Sequence, residues 1–373
     1  MAVGETPLAG LRVLELARVL AGPWIGQALA DLGAEVVKIE APGGDETRSW
    51  GPPFVEDGGS AAYFHGANRG KRSVVADFRT EDGRALVRDE AARADILIEN
   101  FKVGGLAKYG LDYASLSALN PRLVYCSITG FGQNGPYAAR PGYDALIQGL
   151  SGLMSITGEP DGAPQKVGVA VTDIVTGLYG TIGILAAIEQ RHRTGRGQHI
   201  DMALMDCAMA MLANQAMNAL VTGRAPPRQG SAHPSIAPYQ VFACADGHLI
   251  VAVGNDGQFA RLCEVLERPD LATDPRFATN PDRVRNRPAL EEAIGPLIAG
   301  WARDPLLAAL EGATVPAGPI NDVVEALADP QVAARGLVIR PGGVPGLRGP
   351  WRFSDADLSL DRGAPALGEA GRA

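Results

Sequence analysis

The residue that most invites a chemical role is Asp173. It is the lone acid in the uncharged run Val167-Gly-Val-Ala-Val-Thr-Asp-Ile-Val-Thr-Gly-Leu-Tyr-Gly180, which is expected to lead from a strand into an apolar helix. A carboxylate at such a junction has two uses. As an N-cap it accepts a hydrogen bond from a backbone N–H one turn in. As a nucleophile at the mouth of a water-poor site it would be kept ionised by the helix terminus, whose N–H groups also stabilise a developing oxyanion. Local context alone favours the cap.

Other chemistries have less support. No GxxxxGK[ST] phosphate loop occurs. One GxGxxG, Gly130-Phe-Gly-Gln-Asn-Gly135, follows a strand-like segment, but Pro136 and Pro141-Gly142 stand where a dinucleotide fingerprint needs a helix, so a plain loop is expected. Ser231-Ala-His233 lacks the GxSxG elbow of a hydrolase nucleophile. His65, His192, His199, His233 and His248 show no metal-ligand spacing, and no metal is expected. Three basic clusters remain: Asn68-Arg-Gly-Lys-Arg72, Asn100-Phe-Lys102 with Lys108, and Arg191-His-Arg-Thr-Gly-Arg196. Each reads most simply as solvated loop charge. The first two adjoin strands, where open α/β sheets bind ligands, and would suit an anion with several phosphates.

The elements that must position these groups begin with a strand at Leu11–Leu16, a helix at Trp24–Leu32 ended by Gly33, and a strand at Glu35–Glu40. That is the spacing of a parallel βαβ unit. It continues with strands at Arg72–Asp77, Ile96–Glu99 and Arg122–Ile128 and helices at Glu81–Ala94 and Tyr113–Leu119. The first 130 residues therefore read as an α/β, Rossmann-like layered domain. From Tyr143 to Gly223 the pattern is mainly helical, and Ile174–Ile188 reads as a buried helix with small residues on one side.

The Pro/Gly-rich stretch Ala225–Pro234 marks the best domain boundary. Beyond it a hairpin (Tyr239–Ala243, His248–Val253) and helices at Phe259–Leu266 and Leu290–Ala302 suggest a smaller α+β domain. The expected division is 1–224, 225–325 and a C-terminal segment, 326–373, with a strand at Gly336–Arg340. Two domains also fit 373 residues. Net charge of −8 argues against a nucleic-acid or anionic-membrane surface. Four scattered cysteines without CxxC spacing fit a reducing compartment. The N-terminal stretch lacks a basic n-region and apolar h-region, so a cytoplasmic location without membrane attachment is expected.

Several segments, taken together and in order, resemble the class III CoA-transferases, the family of formyl-CoA and carnitine CoA-transferases and α-methylacyl-CoA racemases. They include Val19-Leu-Ala-Gly-Pro23, Leu32-Gly-Ala-Glu-Val-Val-Lys-Ile-Glu40, Asn68-Arg-Gly-Lys-Arg-Ser73, Asp95-Ile-Leu-Ile-Glu-Asn-Phe101, Thr129-Gly-Phe-Gly-Gln-Asn-Gly-Pro-Tyr137 and Thr194-Gly-Arg-Gly-Gln198. The resemblance spans nearly the whole chain. It implies that Asp173 is the catalytic aspartate. It implies that coenzyme A, as acyl-CoA substrate, meets Val19, Leu20, Asn68, Lys71, Arg72, Asn100, Phe101, Lys102, Lys108, Tyr143 and Asp144. It also implies an interlocked homodimer whose tail returns to the large domain. Two positions depart from the pattern: Ala41 stands where the family has an arginine, and Gly230-Ser-Ala-His-Pro234, with Gly230 and His233 as substrate-loop candidates, replaces a mobile four-glycine loop.

Transfer and racemisation need different residues. The racemases carry a Gly-His-Asp stretch that supplies a proton-transfer pair, and here it reads Gly142-Tyr143-Asp144. Tyrosine, with an ordinary pKa of ~10, is a poor base at neutral pH. Transfer needs one carboxylate, Asp173, and is the favoured reading. Gly230–Gln240 looks most like the succinyl-CoA:dicarboxylate (glutarate-type) transferases, and His233, Ser235 or Arg228 would hold a distal carboxylate. A racemase and a non-catalytic CoA-binding protein are the alternatives.

Overall fold

The structure, a computed structural model, describes residues 5–56 and 59–373; of the N-terminal stretch, residues 1–4 lie outside them. Strand β1 (Arg12–Glu15), helix α1 (Ala21–Asp31) and strand β2 (Glu35–Glu40) form the expected βαβ unit. Helix α1 starts three residues before the sequence suggests. Pro23 does not delay it, because the first turn of a helix has no use for that N–H. Gly33 takes φ +99°, a conformation in which a side chain is strained, and so ends the helix.

Helix α2 (Ala62–Asn68), which the sequence reading passed over, precedes β3 (Lys71–Val75). Helix α3 (Glu81–Arg93) opens on Thr80, whose hydroxyl accepts from the Gly83 N–H, with Glu81 and Asp82 in its first turn and Arg93 in its last. Then come β4 (Ile96–Glu99), α4 (Tyr113–Leu119) and β5 (Val124–Thr129).

The next region is less purely helical than expected. It holds α5 (Asp144–Leu150), α6 (Leu153–Ile156), α7 (Val171–Thr194), a strand β6 (His199–Ala203), α8 (Leu204–Met211) and α9 (Ala213–Thr222). No strand precedes Asp173: residues 157–170 are irregular, and Gly158, Pro160, Gly162, Pro164 and Gly168 disrupt any ladder there. Strand β6 pairs parallel with β5 from Tyr125↔His199 to Thr129↔Ala203. The sheet runs β3-β2-β1-β4-β5-β6 and every pairing in it is parallel. Its central strands are apolar and buried on both faces, as the coverage by helices demands.

Helix α7 is 24 residues long, apolar and long enough to cross a membrane by length and composition, and longer than the stretch read from sequence. It packs lengthwise on α1: a Cβ at Gly177 would meet the Trp24 side chain at 2.9 Å, and one at Gly180 would meet Ile25 at 2.5 Å. The small residues therefore sit where the two helices approach most closely.

The chain divides into two units, 1–153 with 166–224 and 330–373, and 154–165 with 225–329. The second unit holds a three-stranded antiparallel sheet, β7 (Tyr239–Cys244), β8 (Gly247–Ala252) and, after four helices, β9 (Ala317–Pro319). Those helices are α10 (Asp256–Val265), α11 (Asn280–Arg285), α12 (Arg287–Ala299) and α13 (Arg303–Gly312), and α14 (Val323–Ala328) follows β9. Its own core gathers residues such as Leu249, Phe259, Phe277 and Ile294.

The first unit resumes with α15 (Pro330–Ala334) and a two-stranded hairpin, β10 (Val338–Ile339) and β11 (Gly346–Leu347). The strand expected at Gly336–Arg340 is thus only two residues long. The last residues run beside β3, where Val75 N–H donates to Gly371 and Ala373 N–H to Val75.

Candidate active site

The order of the parallel sheet reverses between β1 and β4, and ligands of open α/β sheets bind outside the strand ends at such a point. A cleft of about 440 Å³ lies there. The turn after β1 supplies Arg18 to Ala21, the loop after β4 supplies Asn100 to Val103 with Lys108, and Gly130 and Gly142 bring in Tyr143. Those two glycines let two backbone segments touch, since a Cβ on Gly130 would fall 2.5 Å from the Gly142 Cα. The GxGxxG is thus a loop after β5, and the next helix, α5, starts only at Asp144.

Asp173 lies on the wall of this cleft, in the first turn of α7. It is not the cap. The N-cap is Ala170, and the capping work falls to Asp144, whose Oδ1 accepts from the Thr172 N–H at 2.8 Å and the Thr172 hydroxyl at 2.6 Å. Among the described residues no hydrogen-bond donor is found for the Asp173 carboxylate, which leaves it available to a ligand. Burial, and then the negative charge of Asp144, push its pKa up to about 7. Burial thus works against the ionised form that the helix terminus was expected to favour.

The rest of the cleft is positive. Arg18, Lys102, Lys108 and Arg140 line it beside a single further acid, Glu46. Arg18 pairs with Glu46 at 2.8 Å, and its backbone is clamped by Asn100, which accepts from the Arg18 N–H at 2.9 Å and donates to its carbonyl at 2.7 Å. Lys102 and Lys108 are exposed, and the Lys108 ammonium lies 4.7 Å from the Tyr109 ring centre. Arg140 stacks on Tyr137 at 3.9 Å. Sequence reasoning missed Arg18 and Arg140, which carry no periodic signal. Their one legible cue was position, just after β1 and in the loop after β5.

A cationic cleft at a sheet switch point with one free carboxylate suits a phosphate-bearing thioester. The family match agrees, since CoA-transferase family III covers residues 8–371. The chain belongs to that family. The transferase is 58% identical to the succinate–glutarate CoA-transferase of Agrobacterium fabrum, over 98% of this chain and 94% of that one. It is 42% identical to the succinyl-CoA:glutarate CoA-transferase of Mus musculus, over 97% of this chain and 84% of that one. A crystal structure of a CaiB/BaiF family protein from Brucella suis superposes with a TM-score of 0.89 at 61% identity, covering 98% and 97% of the two chains.

Within the transferase, the residues expected to meet CoA separate into two groups. Val19, Leu20, Asn100, Phe101, Lys102, Lys108 and Tyr143 line the cleft. Asn68, Lys71, Arg72 and Asp144 do not. Lys71 is fully buried and bound to Glu15 at 2.8 Å, to the Pro23 carbonyl and to Asn68, which is itself buried and donates to the Phe64 carbonyl. Arg72 points to solvent beside Glu35 at 3.2 Å, and Asp144 is held by Thr172 and Gln148. The third basic cluster also turns inward at one point, because Arg191 is buried and pairs with Asp95 at 2.9 Å.

In the second unit the segment around Gly230 and His233 is tied rather than loose. Gly230, at φ +58°, donates to the Gly158 carbonyl, and His233 donates its backbone N–H to Tyr239. The His233 imidazole accepts from the Ser235 N–H at 3.1 Å, while Arg287 donates to the His233 carbonyl at 2.6 Å. Burial and the Arg287 charge hold the His233 pKa below its ordinary value. Arg228, expected as a carboxylate partner, donates to the Glu159 and Gly162 carbonyls, the latter at 2.7 Å. Of these bonds, the one accepted by the His233 imidazole is made by a side chain that a glycine-rich loop would lack.

Proposed function

We propose that this transferase moves CoA from succinyl-CoA to a dicarboxylic acid of glutarate type, with Asp173 as the acyl carrier. The observation that carries the reading is Asp173 itself, a carboxylate without a hydrogen-bond donor on the wall of a cationic cleft. The substrate class follows from relatives that bear succinate–glutarate and succinyl-CoA:glutarate names at 58% and 42% identity. An Asp173 Oδ attacks the thioester carbonyl and expels CoA thiolate, giving a mixed anhydride. The thiolate attacks the Asp173 Cγ and releases the donor acid, leaving an aspartyl-CoA thioester. The acceptor carboxylate attacks that Cγ, thiolate leaves again, and its attack on the acceptor carbonyl yields the new acyl-CoA and free Asp173. No net proton is consumed. The burial of Asp173 would limit the access of water to the anhydride.

The racemase alternative lacks its base. Tyr143 stands in place of the histidine and is 67% exposed, and Asp144 is occupied by Thr172 and Gln148. An assay of CoA exchange from succinyl-CoA across mono- and dicarboxylic acids tests the reading. Glutarate should rank among the best acceptors, without α-deuterium uptake from 2-methylacyl-CoA in heavy water. Preference for monocarboxylates, or rapid deuterium uptake, would overturn it.

Lys102 and Lys108 are assigned to the phosphates of CoA. Charge reversal at both, Lys102→Glu with Lys108→Glu, should raise the acyl-CoA KM by roughly 10²-fold at low salt while kcat changes little, and the difference should shrink as salt is added. An unchanged KM in steady-state kinetics would remove them from the binding site.

We also assign a dimeric, cytoplasmic enzyme. The exposed apolar side chains of Leu220 and Val221, each 78% exposed, and of Val323 and Val324 support the first, and four free cysteines the second. Sedimentation equilibrium should give twice the chain mass, and a monomer would refute the assembly.

A further inference from the structure

Beneath the turn that joins β1 to α1 lies a set of buried charges that the transfer chemistry does not use. Glu15, Lys38 and Lys71 have fully buried side chains, and Asp45 is 1% exposed. Lys38 binds Glu15 and Asp45, both at 3.0 Å, and Lys71 binds Glu15 at 2.8 Å. Two anions thus meet two cations, and the set carries no net charge. Isolated buried ion pairs seldom stabilise a fold more than apolar residues of the same shape, so their retention asks for another role.

The remaining valences of the set converge on one short stretch of backbone. Lys38 donates to the Ala17 carbonyl at 2.8 Å, Asp45 accepts from the Val19 N–H at 3.3 Å, and Lys71 donates to the Pro23 carbonyl at 2.9 Å. Between these three anchors Val19 takes φ +70°. A β-branched residue in the left-handed region is strained and persists only where its surroundings over-determine it. Strain of this kind gathers at functional sites, and here Arg18, Val19, Leu20 and Ala21 form one wall of the cleft.

We infer that the Glu15–Lys38–Asp45–Lys71 set is a clamp that holds Val19 in its left-handed conformation, so that the β1–α1 turn is shaped for acyl-CoA before the ligand arrives. Its members are positioning residues, since none of them lines the cleft. Asp45 is the decisive one because it grips the Val19 N–H directly and is itself fixed by the Thr47 N–H and hydroxyl, at 3.0 and 2.8 Å. The inference rests on the cleft being the acyl-CoA site.

Glycine adopts the left-handed region without steric cost, so Val19→Gly removes the strain against which the clamp holds the turn. Asp45→Ala should raise the acyl-CoA KM by about tenfold with the acceptor-acid KM unchanged, and should raise it by no more than about threefold when introduced into Val19→Gly, compared with Val19→Gly alone. A merely structural Asp45 would lower the melting temperature and the active fraction, would leave the KM ratio of the two substrates alone, and would not be rescued. Additive effects in the double variant, or parallel changes in both KM values, would overturn the clamp. If Asp45→Ala is insoluble, the double variant decides: a soluble protein that binds acyl-CoA as Val19→Gly alone does supports the clamp, and an insoluble one, or one that binds more weakly than Val19→Gly alone, refutes it. A parent enzyme without affinity for acyl-CoA would instead refute the cleft assignment, so the two failures are distinguishable.

Discussion

Asp173→Ala should lower CoA exchange between succinyl-CoA and glutarate by on the order of 10⁴-fold or more, about 5 kcal/mol of transition-state stabilisation. The size follows from the role. On the proposed mechanism Asp173 passes through three covalent states, two anhydrides and a CoA thioester, and it has no substitute in the cleft, where the one other lining acid, Glu46, is paired with Arg18. The acyl-CoA KM should change much less, because the cations assigned to its phosphates remain. Stopped exchange with nearly normal binding, measured by steady-state kinetics and titration calorimetry, distinguishes a lost nucleophile from a collapsed site. Full exchange by the variant would remove Asp173 from the chemistry.

The same residue should cost the folded state stability, and in a pH-dependent way. Its pKa is 3.8 in an ordinary setting and is pushed up to about 7 in the fold. Between those values the folded state binds the proton that the unfolded chain has released, so this group's contribution falls as pH rises through that window. Above about pH 7 the penalty is constant. Asp173→Asn removes the charge while keeping the shape, and so should stabilise the protein by up to about 4 kcal/mol at pH 8 and by nearly nothing at pH 4. Paired denaturant titrations at the two pH values measure the difference. Equal stability of variant and parent at pH 8 would show that the carboxylate is solvated in the fold. The same shift predicts that kcat/KM rises with pH through about 7, because only the ionised carboxylate attacks.

Function that depends on a destabilised carboxylate is a familiar compromise. On the proposed mechanism, the burial that makes Asp173 a reluctant anion would also limit the access of water to the anhydride.

The layered half of the fold was legible because its strands are runs of Val, Ile and Leu at βαβ spacing. Strand β2 (Glu35–Glu40) and strand β4 (Ile96–Glu99) fall where the sequence puts them. Strand β6 was not legible. His199-Ile-Asp-Met-Ala203 is short, mixed in polarity and lodged between two helices, and it becomes a strand only because β5 offers an unpaired edge. Asp173 stood out by its isolation among apolar residues, but its hydrogen-bond status depended on Asp144, 29 positions earlier, taking over the cap of α7.

Asn68 and Lys71 show the opposite failure. Asn-Arg-Gly-Lys-Arg reads as a solvated, phosphate-facing loop, yet Lys71 turns inward to Glu15, 56 residues away in the chain. Partners that distant leave no trace in local pattern, because only the parallel order of β1, β2 and β3 brings them together. Arg18 and Arg140 were hidden because single loop arginines carry no periodic signal, and only the sheet order brings their loops to one cleft.

The acyl carrier itself offers the most direct measurement. The enzyme is mixed with succinyl-CoA, treated with hydroxylamine, digested and examined by peptide mass spectrometry. A hydroxamate on the peptide that contains Asp173, absent after Asp173→Asn, is the predicted result. Efficient CoA exchange with Asp173 unmodified and a hydroxamate elsewhere, or none at all, would contradict it.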